Sequence, residues 1–153
     1  MRTGLLNVPR AALAAFLLFA ASGWAQVPGE KIAGGIVVRI GIASSEQLAL
    51  RPPGHAEGKM HPSQSRPGRD HMVISLADER SGKRIEDAKV TASVSRSGVD
   101  HVNRPLERMD APGAVSYGGY FDLRSPGPYR IRIEIVRPGL GMPVAAEFEY
   151  RNR

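Results

Sequence analysis

Histidine and methionine side chains are concentrated in one stretch of this sequence. Three of the four histidines lie between residues 55 and 72, together with two of the five methionines. Imidazole and thioether groups suit copper, and thioether sulfur favours Cu(I) in particular. The chain has no cysteine, so disulfides and thiolate metal sites are excluded. The candidate metal ligands are His55, Met60, His61 and His71, with Met109 as a further donor from outside the stretch.

Met72 belongs to the same stretch but is better explained as a core residue. It alternates with Ile74 and Leu76, which is the period of a strand that buries one face. Methionine is a common filler of apolar cores. The same alternation places His71 on the opposite face, where we expect it to be available to solvent or to a metal.

The other candidates also have explanations that need no metal. His55, Met60 and His61 lie in a segment rich in proline and glycine, where exposed polar side chains are ordinary. For Met109, a packed residue at a strand end is as well supported as a ligand. His101 lies in what we predict to be a polar turn, and we assign it no role.

Catalytic signatures are missing from the sequence. It contains no Gly-x-Ser-x-Gly motif for a nucleophilic serine. It also lacks the His-Glu-x-x-His spacing of a zinc hydrolase. We therefore expect the protein not to be an enzyme.

The N-terminus has the pattern of a secretory signal peptide. Arg2 and Arg10 supply positive charge, and the run from 11 to 21 is apolar and uncharged. The run is shorter than the roughly 20 apolar residues that a transmembrane helix needs. We predict that residues 1–25 direct export and are removed.

The predicted cleavage site follows Gly23 and Ala25, two small residues at suitable positions. Lipoprotein processing would need a cysteine after the cut, and none is present. The product, residues 26–153, is therefore expected to be a periplasmic domain without a membrane anchor after cleavage.

Composition indicates one small domain with a mixed surface. The length suits a single hydrophobic core. The chain has 21 Lys+Arg and 15 Asp+Glu, a net charge of +6. Basic residues often stand beside acidic ones, as in Asp78-Glu79-Arg80 and Glu107-Arg108, whereas nucleic-acid binding requires a basic stripe. We expect no nucleic-acid partner.

Short strands separated by Gly/Pro turns follow the export segment. Alternation of apolar and polar residues is strict in residues 88–94 and 129–135. A long irregular loop is predicted over residues 51–70, which contain four prolines. The fold class predicted is all-β, a single antiparallel β-sandwich of immunoglobulin-like or cupredoxin-like architecture. Its six clearest strands are 36–42, 71–76, 88–94, 115–123, 129–135 and 144–150.

Two segments carry a family resemblance. Residues 106–121 read LERMDAPGAVSYGGYF and residues 127–133 read GPYRIRI. They resemble a signature of small exported β-sandwich proteins, in which a methionine precedes a turn, a His-Tyr-Gly strand and a Gly-x-Tyr strand. The families are the periplasmic iron-transport accessory proteins, with a Met and His metal site, and more distantly the YtkA-like domains found near copper and cytochrome oxidase assembly genes.

The resemblance covers residues 71–150 and has consequences for the site. It implies that Met109 corresponds to the family's methionine ligand. The family's histidine before Tyr-Gly corresponds to Ser116 in this chain. A metal site would then recruit donors from His55, Met60, His61 or His71, or binding has been lost and only the fold kept.

Two classes of function follow. The first is a non-catalytic periplasmic protein that binds copper or ferrous iron through His and Met donors and passes it to a partner. The second is a metal-free β-sandwich that serves as an interaction module for an envelope protein partner.

Overall fold

The structure is a computed structural model, and it describes residues 29–44, 47, 68–96, 100–111 and 113–152. The predicted signal peptide lies outside the described residues. So do His55, Met60 and His61 of the candidate site. At the end of the predicted 51–70 loop, Gly68 and Arg69 precede the next strand, and Asp70 is already its first residue.

Nine antiparallel strands in the described ranges form two sheets. The first sheet has the order β1-β2-β3-β7-β6, and the second has the order β5-β4-β8-β9. This confirms the predicted all-β sandwich. The strands are β1 (Gly29–Ala33), β2 (Ile36–Ala43), β3 (Asp70–Asp78), β4 (Lys89–Arg96), β5 (Asp100–Pro105), β6 (Glu107–Ala111), β7 (Ala114–Phe121), β8 (Gly127–Val136) and β9 (Val144–Asn152).

Turn chemistry explains how the first strands are connected. Gly34 and Gly35 have φ angles of 54° and 76°, as a two-residue turn between twisted strands requires. After β3, the Asp78 carboxylate accepts hydrogen bonds from the backbone N–H and the hydroxyl of Ser81, at 2.8 and 2.7 Å. These bonds lower the pKa of Asp78, so its charged form holds the turn at neutral pH.

The core lies between the two sheets and follows the predicted alternation. Within β4 and β8 the apolar residues of the strict alternation are all buried, and β9 buries every second residue from Ala146 to Tyr150. The charged residues between them on β8 point away from the core. The buried side chains of these three strands are Val90, Ala92, Val94, Tyr129, Ile131, Ile133, Ile135, Ala146, Phe148 and Tyr150.

One stretch of chain joins the two sheets along a side of the sandwich. β5 belongs to the second sheet and β6 to the first, with only Leu106 between them. Leu106 is buried, and its N–H donates to the carbonyl oxygen of Val90 at 2.8 Å. The prediction that His101 lies in a turn is wrong, because His101 is part of β5 and pairs with Ser95.

Candidate metal centre

His71 and Met109 meet above Gly118. A Cβ atom on Gly118 would lie 2.9 Å from Nε2 of His71, and 2.8 and 2.6 Å from Sδ and Cε of Met109. The nitrogen and sulfur atoms therefore both lie against the same point of the β7 backbone, and they can approach it because residue 118 has no side chain. Two residues far apart in sequence, both predicted as ligands, are brought together here.

Strand pairing places His71 in the middle of the first sheet. Its Cα is opposite that of Tyr120 on β7 and that of Ala43 on β2. The imidazole and the Tyr120 ring lie 4.7 Å apart between centroids, with an interplanar angle of 32°. His71 is on the face directed away from the second sheet, as predicted. The expectation that it is available to solvent is wrong, because the side chain is 0% exposed.

Met109 reaches the same place from the edge of the sheet. It lies in the middle of β6, and its Cα is opposite that of Ser116 on β7. The side chain is only 3% exposed, although β6 is an edge strand. Its neighbours Arg108 and Asp110 point to the other face and form an exposed ion pair of 2.8 Å. Met109 is thus the buried residue of a charged strand.

Two polar contacts fix the strands that carry the site. The carboxylate of Asp70, at the start of β3, accepts a hydrogen bond from the N–H of Leu123 at 3.2 Å, which ties β3 to the chain that leaves β7. The Tyr117 hydroxyl accepts one from the N–H of Ala88 at 3.1 Å. Burial raises the pKa of Tyr117, so this phenol remains neutral and links β7 to the segment before β4.

Met72 has the core role that the sequence indicated. It is 0% exposed, within the apolar cluster between the sheets. Its Cα is opposite that of Gly119, on the face opposite to the one that bears His71. Met72 is therefore separated from the candidate site by the sheet itself.

The donor set suits a soft metal ion. A neutral imidazole and a thioether are a combination that copper accepts, and hard cations such as Mg²⁺ or Ca²⁺ prefer oxygen. Among the described residues, no group of three or more His, Cys, Asp and Glu side chains is arranged to hold a metal. The two buried donors are thus one nitrogen and one sulfur, and both lie against the backbone of Gly118, where a methyl group would overlap them.

A surface groove beside β9 offers no comparable donors. Lys31, Arg130 and Phe148 are among its lining residues. Its two acids, Glu147 and Glu149, already pair with arginines at 3.2 and 2.9 Å. Over the described ranges, no helix is long and apolar enough to span a membrane.

Sequence reasoning missed Gly118 and Tyr120. The segment Ser116-Tyr117-Gly118-Gly119-Tyr120 was interpreted as an ordinary strand. Its paired glycines were the available signal, because glycine weakens a strand and often marks a close approach of another group. The contact of Tyr120 with His71 depends on the register between β3 and β7, which has no signature in the sequence.

Comparison with known proteins identifies the fold. No family model matches the chain, and no curated protein matches it in sequence. A DUF4426 family protein from Pseudomonas aeruginosa PAO1 has a similar structure, with a TM-score of 0.64 and 16% identity over 82% of this chain and 94% of that one. A copper-bound variant of FetP from uropathogenic Escherichia coli strain F11 matches with a TM-score of 0.60 and 11% identity, covering 81% and 93%.

The copper-reconstituted P19 protein of Campylobacter jejuni is a further structural relative. Its TM-score is 0.60 at 12% identity, and the match covers 82% of this chain and 93% of P19. At these identities the likeness concerns the fold, a two-sheet sandwich of the same extent. The structural neighbours include proteins solved with copper bound.

Proposed function

We propose that this protein is a non-catalytic periplasmic accessory protein that binds copper with His and Met side chains. The observation that carries the proposal is the convergence of His71 Nε2 and Met109 Sδ on the space above Gly118. Both side chains are buried on the face directed away from the core. An imidazole and a thioether arranged in this way form the beginning of a soft metal site.

Connectivity supports a role for the remaining predicted donors. His55, Met60 and His61 lie in the segment between β2 and β3. β2 ends at Ala43, whose Cα is opposite that of His71 near the start of β3. Both ends of the segment therefore lie beside the candidate site. We propose that these three residues complete the coordination sphere begun by His71 and Met109.

The two donors His71 and Met109 favour copper over iron. Thioether sulfur binds Cu(I) well, and ferrous iron in mixed sites usually takes several imidazoles and carboxylates. Ser116, opposite Met109, replaces the imidazole that the family resemblance would place there. We therefore propose copper as the metal and ferrous iron as the weaker alternative.

Export agrees with this role. The predicted signal peptide of residues 1–25 would deliver the domain to the periplasm. FetP, a structural relative, was recombinantly expressed in the periplasm of Escherichia coli. A chain without cysteine has no thiol to oxidise in that compartment.

The alternative function is a metal-free interaction module for an envelope protein. Strand addition at β6 is the form that the sheet edges would permit. Arg108 and Asp110 are exposed on β6 and paired with each other, and charged side chains on an edge strand oppose the addition of another strand. The β6 edge, one of the four sheet edges among the described strands, is therefore poorly suited to docking.

Copper titration tests the proposed function. The protein, purified from the periplasm of a bacterial host, is titrated with Cu(I) and Cu(II) against competing chelators. Met109→Leu keeps the volume and removes the sulfur, so Cu(I) affinity should fall at least about tenfold. Met142→Leu is the matched control, because Met142 is 79% exposed between β8 and β9. Equal affinities for the two variants would contradict a site at Met109.

A second variant tests the segment between β2 and β3. Replacing His55, Met60 and His61 by alanine together should weaken Cu(I) binding while the His71 and Met109 pair remains. Unchanged affinity would remove these three residues from the site. Wild-type protein that binds no copper at all would favour the interaction module.

A further inference from the structure

We propose that Glu107 is a third ligand of the copper site, required for Cu(II) and dispensable for Cu(I). The inference rests on the proposed function, since it concerns the same space above Gly118. It adds an oxygen donor to the imidazole and the thioether. The role of this donor is specific to Cu(II).

The register between β6 and β7 places Glu107 beside the donor pair. Its Cα is opposite that of Gly118, and the next pairs along the ladder are Arg108 with Tyr117 and Met109 with Ser116. Side chains two residues apart on a strand project from the same face. Glu107 and Met109 therefore share the face on which His71 lies.

A glutamate at this position has the reach to join the site. The Cβ atoms of directly opposed residues in an antiparallel pair are about 5 Å apart. At Gly118 the Cβ position lies within 2.9 Å of both His71 Nε2 and Met109 Sδ. The carboxylate of Glu107 ends two carbon atoms beyond its own Cβ. This length is comparable to the separation between the Cβ positions of residues 107 and 118.

Exposure distinguishes Glu107 from the two buried donors. His71 and Met109 are buried, whereas Glu107 is exposed and lies at the solvent side of the same face. Asp110, the other acid on β6, points to the opposite face and pairs with Arg108. Glu107 is thus the acid of this strand on the face that bears His71 and Met109.

The chemistry of the two oxidation states separates the roles of the ligands. Cu(I) is soft and is satisfied by thioether and imidazole, whereas Cu(II) prefers nitrogen and oxygen donors in a tetragonal arrangement. A carboxylate also offsets the larger charge of Cu(II) beside buried neutral groups. Glu107 should therefore contribute to Cu(II) binding and little to Cu(I) binding.

The test compares Glu107→Gln with Asp110→Asn in the full exported protein. Each variant removes one negative charge from β6, on opposite faces of the strand. Chelator competition measures the affinity for Cu(I) and for Cu(II), and electron paramagnetic resonance reports the ligands of Cu(II). Glu107→Gln should lower Cu(II) affinity at least about tenfold, change its hyperfine coupling, and leave Cu(I) affinity within about twofold. Asp110→Asn should change none of these.

The outcomes separate this inference from the function on which it rests. If wild-type protein binds Cu(I) and Glu107→Gln leaves Cu(II) affinity and spectrum unchanged, the ligand assignment is overturned and the His71 and Met109 site remains. Equal losses in the two variants would show a general effect of charge, which also overturns it. A wild-type protein that binds neither ion overturns the proposed function itself.

Discussion

Gly118 and Gly119 are adjacent on β7 and face opposite sides of the sheet. A Cβ on Gly118 would meet His71 and Met109, whereas one on Gly119 would meet Leu106 Cδ2 at 3.0 Å and Phe121 Cε2 at 3.4 Å in the core. The Gly118 position is the more crowded of the two, because its Cβ would lie closer than 3.0 Å to both donor side chains. Only Gly118 borders the proposed metal site.

Gly118→Ala should abolish tight copper binding. The added methyl group would overlap both donor side chains and displace them, so we expect Cu(I) affinity to fall at least about tenfold. Gly119→Ala is the control, since its methyl group overpacks the core at a cost of about 1–3 kcal/mol of stability and adds no atom on the face that bears the donors. Chelator competition and chemical denaturation measure the two effects. Similar copper affinities in both variants would argue against a metal above Gly118.

Tyr150 should make stability fall at high pH. Burial raises its pKa above 10.0, and the nearby Asp70 carboxylate raises it further. The folded state therefore holds the phenol proton more tightly than the unfolded state does. The resulting stabilisation is complete below pH 10 and is lost as pH rises through the folded pKa.

Denaturant unfolding between pH 8 and 11 checks this prediction. In Tyr150→Phe the free energy of unfolding should decline less steeply above pH 10 than in the wild type. The difference between the two proteins at pH 8, where the phenol is protonated in both states, provides the reference. If the free energies of unfolding of the two proteins changed in parallel from pH 8 to 11, this role of Tyr150 would be contradicted.

At single positions the sequence selected donor types without their surroundings. His71 was selected from the His/Met cluster of residues 55–72 and Met109 as a further donor that the family resemblance supports, and alternation placed His71 on the correct face. Alternation assigns a face but does not say whether that face is covered, so the complete burial of His71 was not predictable. Gly118 was missed because its role depends on the pairing of strands distant in sequence.

Among the elements, the continuous β5 and β6 strand determines where Met109 lies. Leu106 connects the two strands and fixes their position. It is buried, its N–H donates a hydrogen bond to the carbonyl oxygen of Val90, and its side chain lies against the inner side of Gly119. A strand that passes from one sheet to the other forms a corner of the sandwich. The position of β6, and with it Met109, depends on this packing.

Leu106→Ala should therefore destabilise the whole fold. Removal of a buried leucine costs about 2–5 kcal/mol through lost burial and the cavity that remains. Val102→Ala on β5 should change stability by less than about 1 kcal/mol, because Val102 is 42% exposed. Urea unfolding measures the loss in free energy of unfolding for each of the two variants. Comparable losses would show that the corner residue has no special role.

The strands that the sequence predicted and those it missed differ in physical setting. The segments that became β2, β3, β4, β7, β8 and β9 bury apolar residues on one face, and their apolar content or period reveals it. β9 is an edge strand that nevertheless buries one face, whereas the other three edge strands are β1, β5 and β6. Their residues are mostly exposed on both faces, so GEKIA, DHVNRP and ERMDA carry no period of two.

For the molecule as a whole, copper binding should raise the stability of the fold. A ligand that binds only the folded state adds about 2.7 kcal/mol at a free concentration 100 times its Kd, which for a domain of this size raises Tm by several degrees. Wild-type protein should show this shift with Cu(I), and Gly118→Ala should not. Calorimetry with and without Cu(I) measures it. An equal shift in both proteins would indicate binding elsewhere.

The pairing of β2 with β3 continues as far as Ala43 and His71, so the hairpin holds both ends of the segment between them. For a chain whose ends are already held together, doubling its length costs only about 0.6 kcal/mol in closure entropy. Insertions and replacements there should be tolerated by the sandwich at little cost. The scaffold can therefore accept a new sequence next to His71 without a redesign of its core.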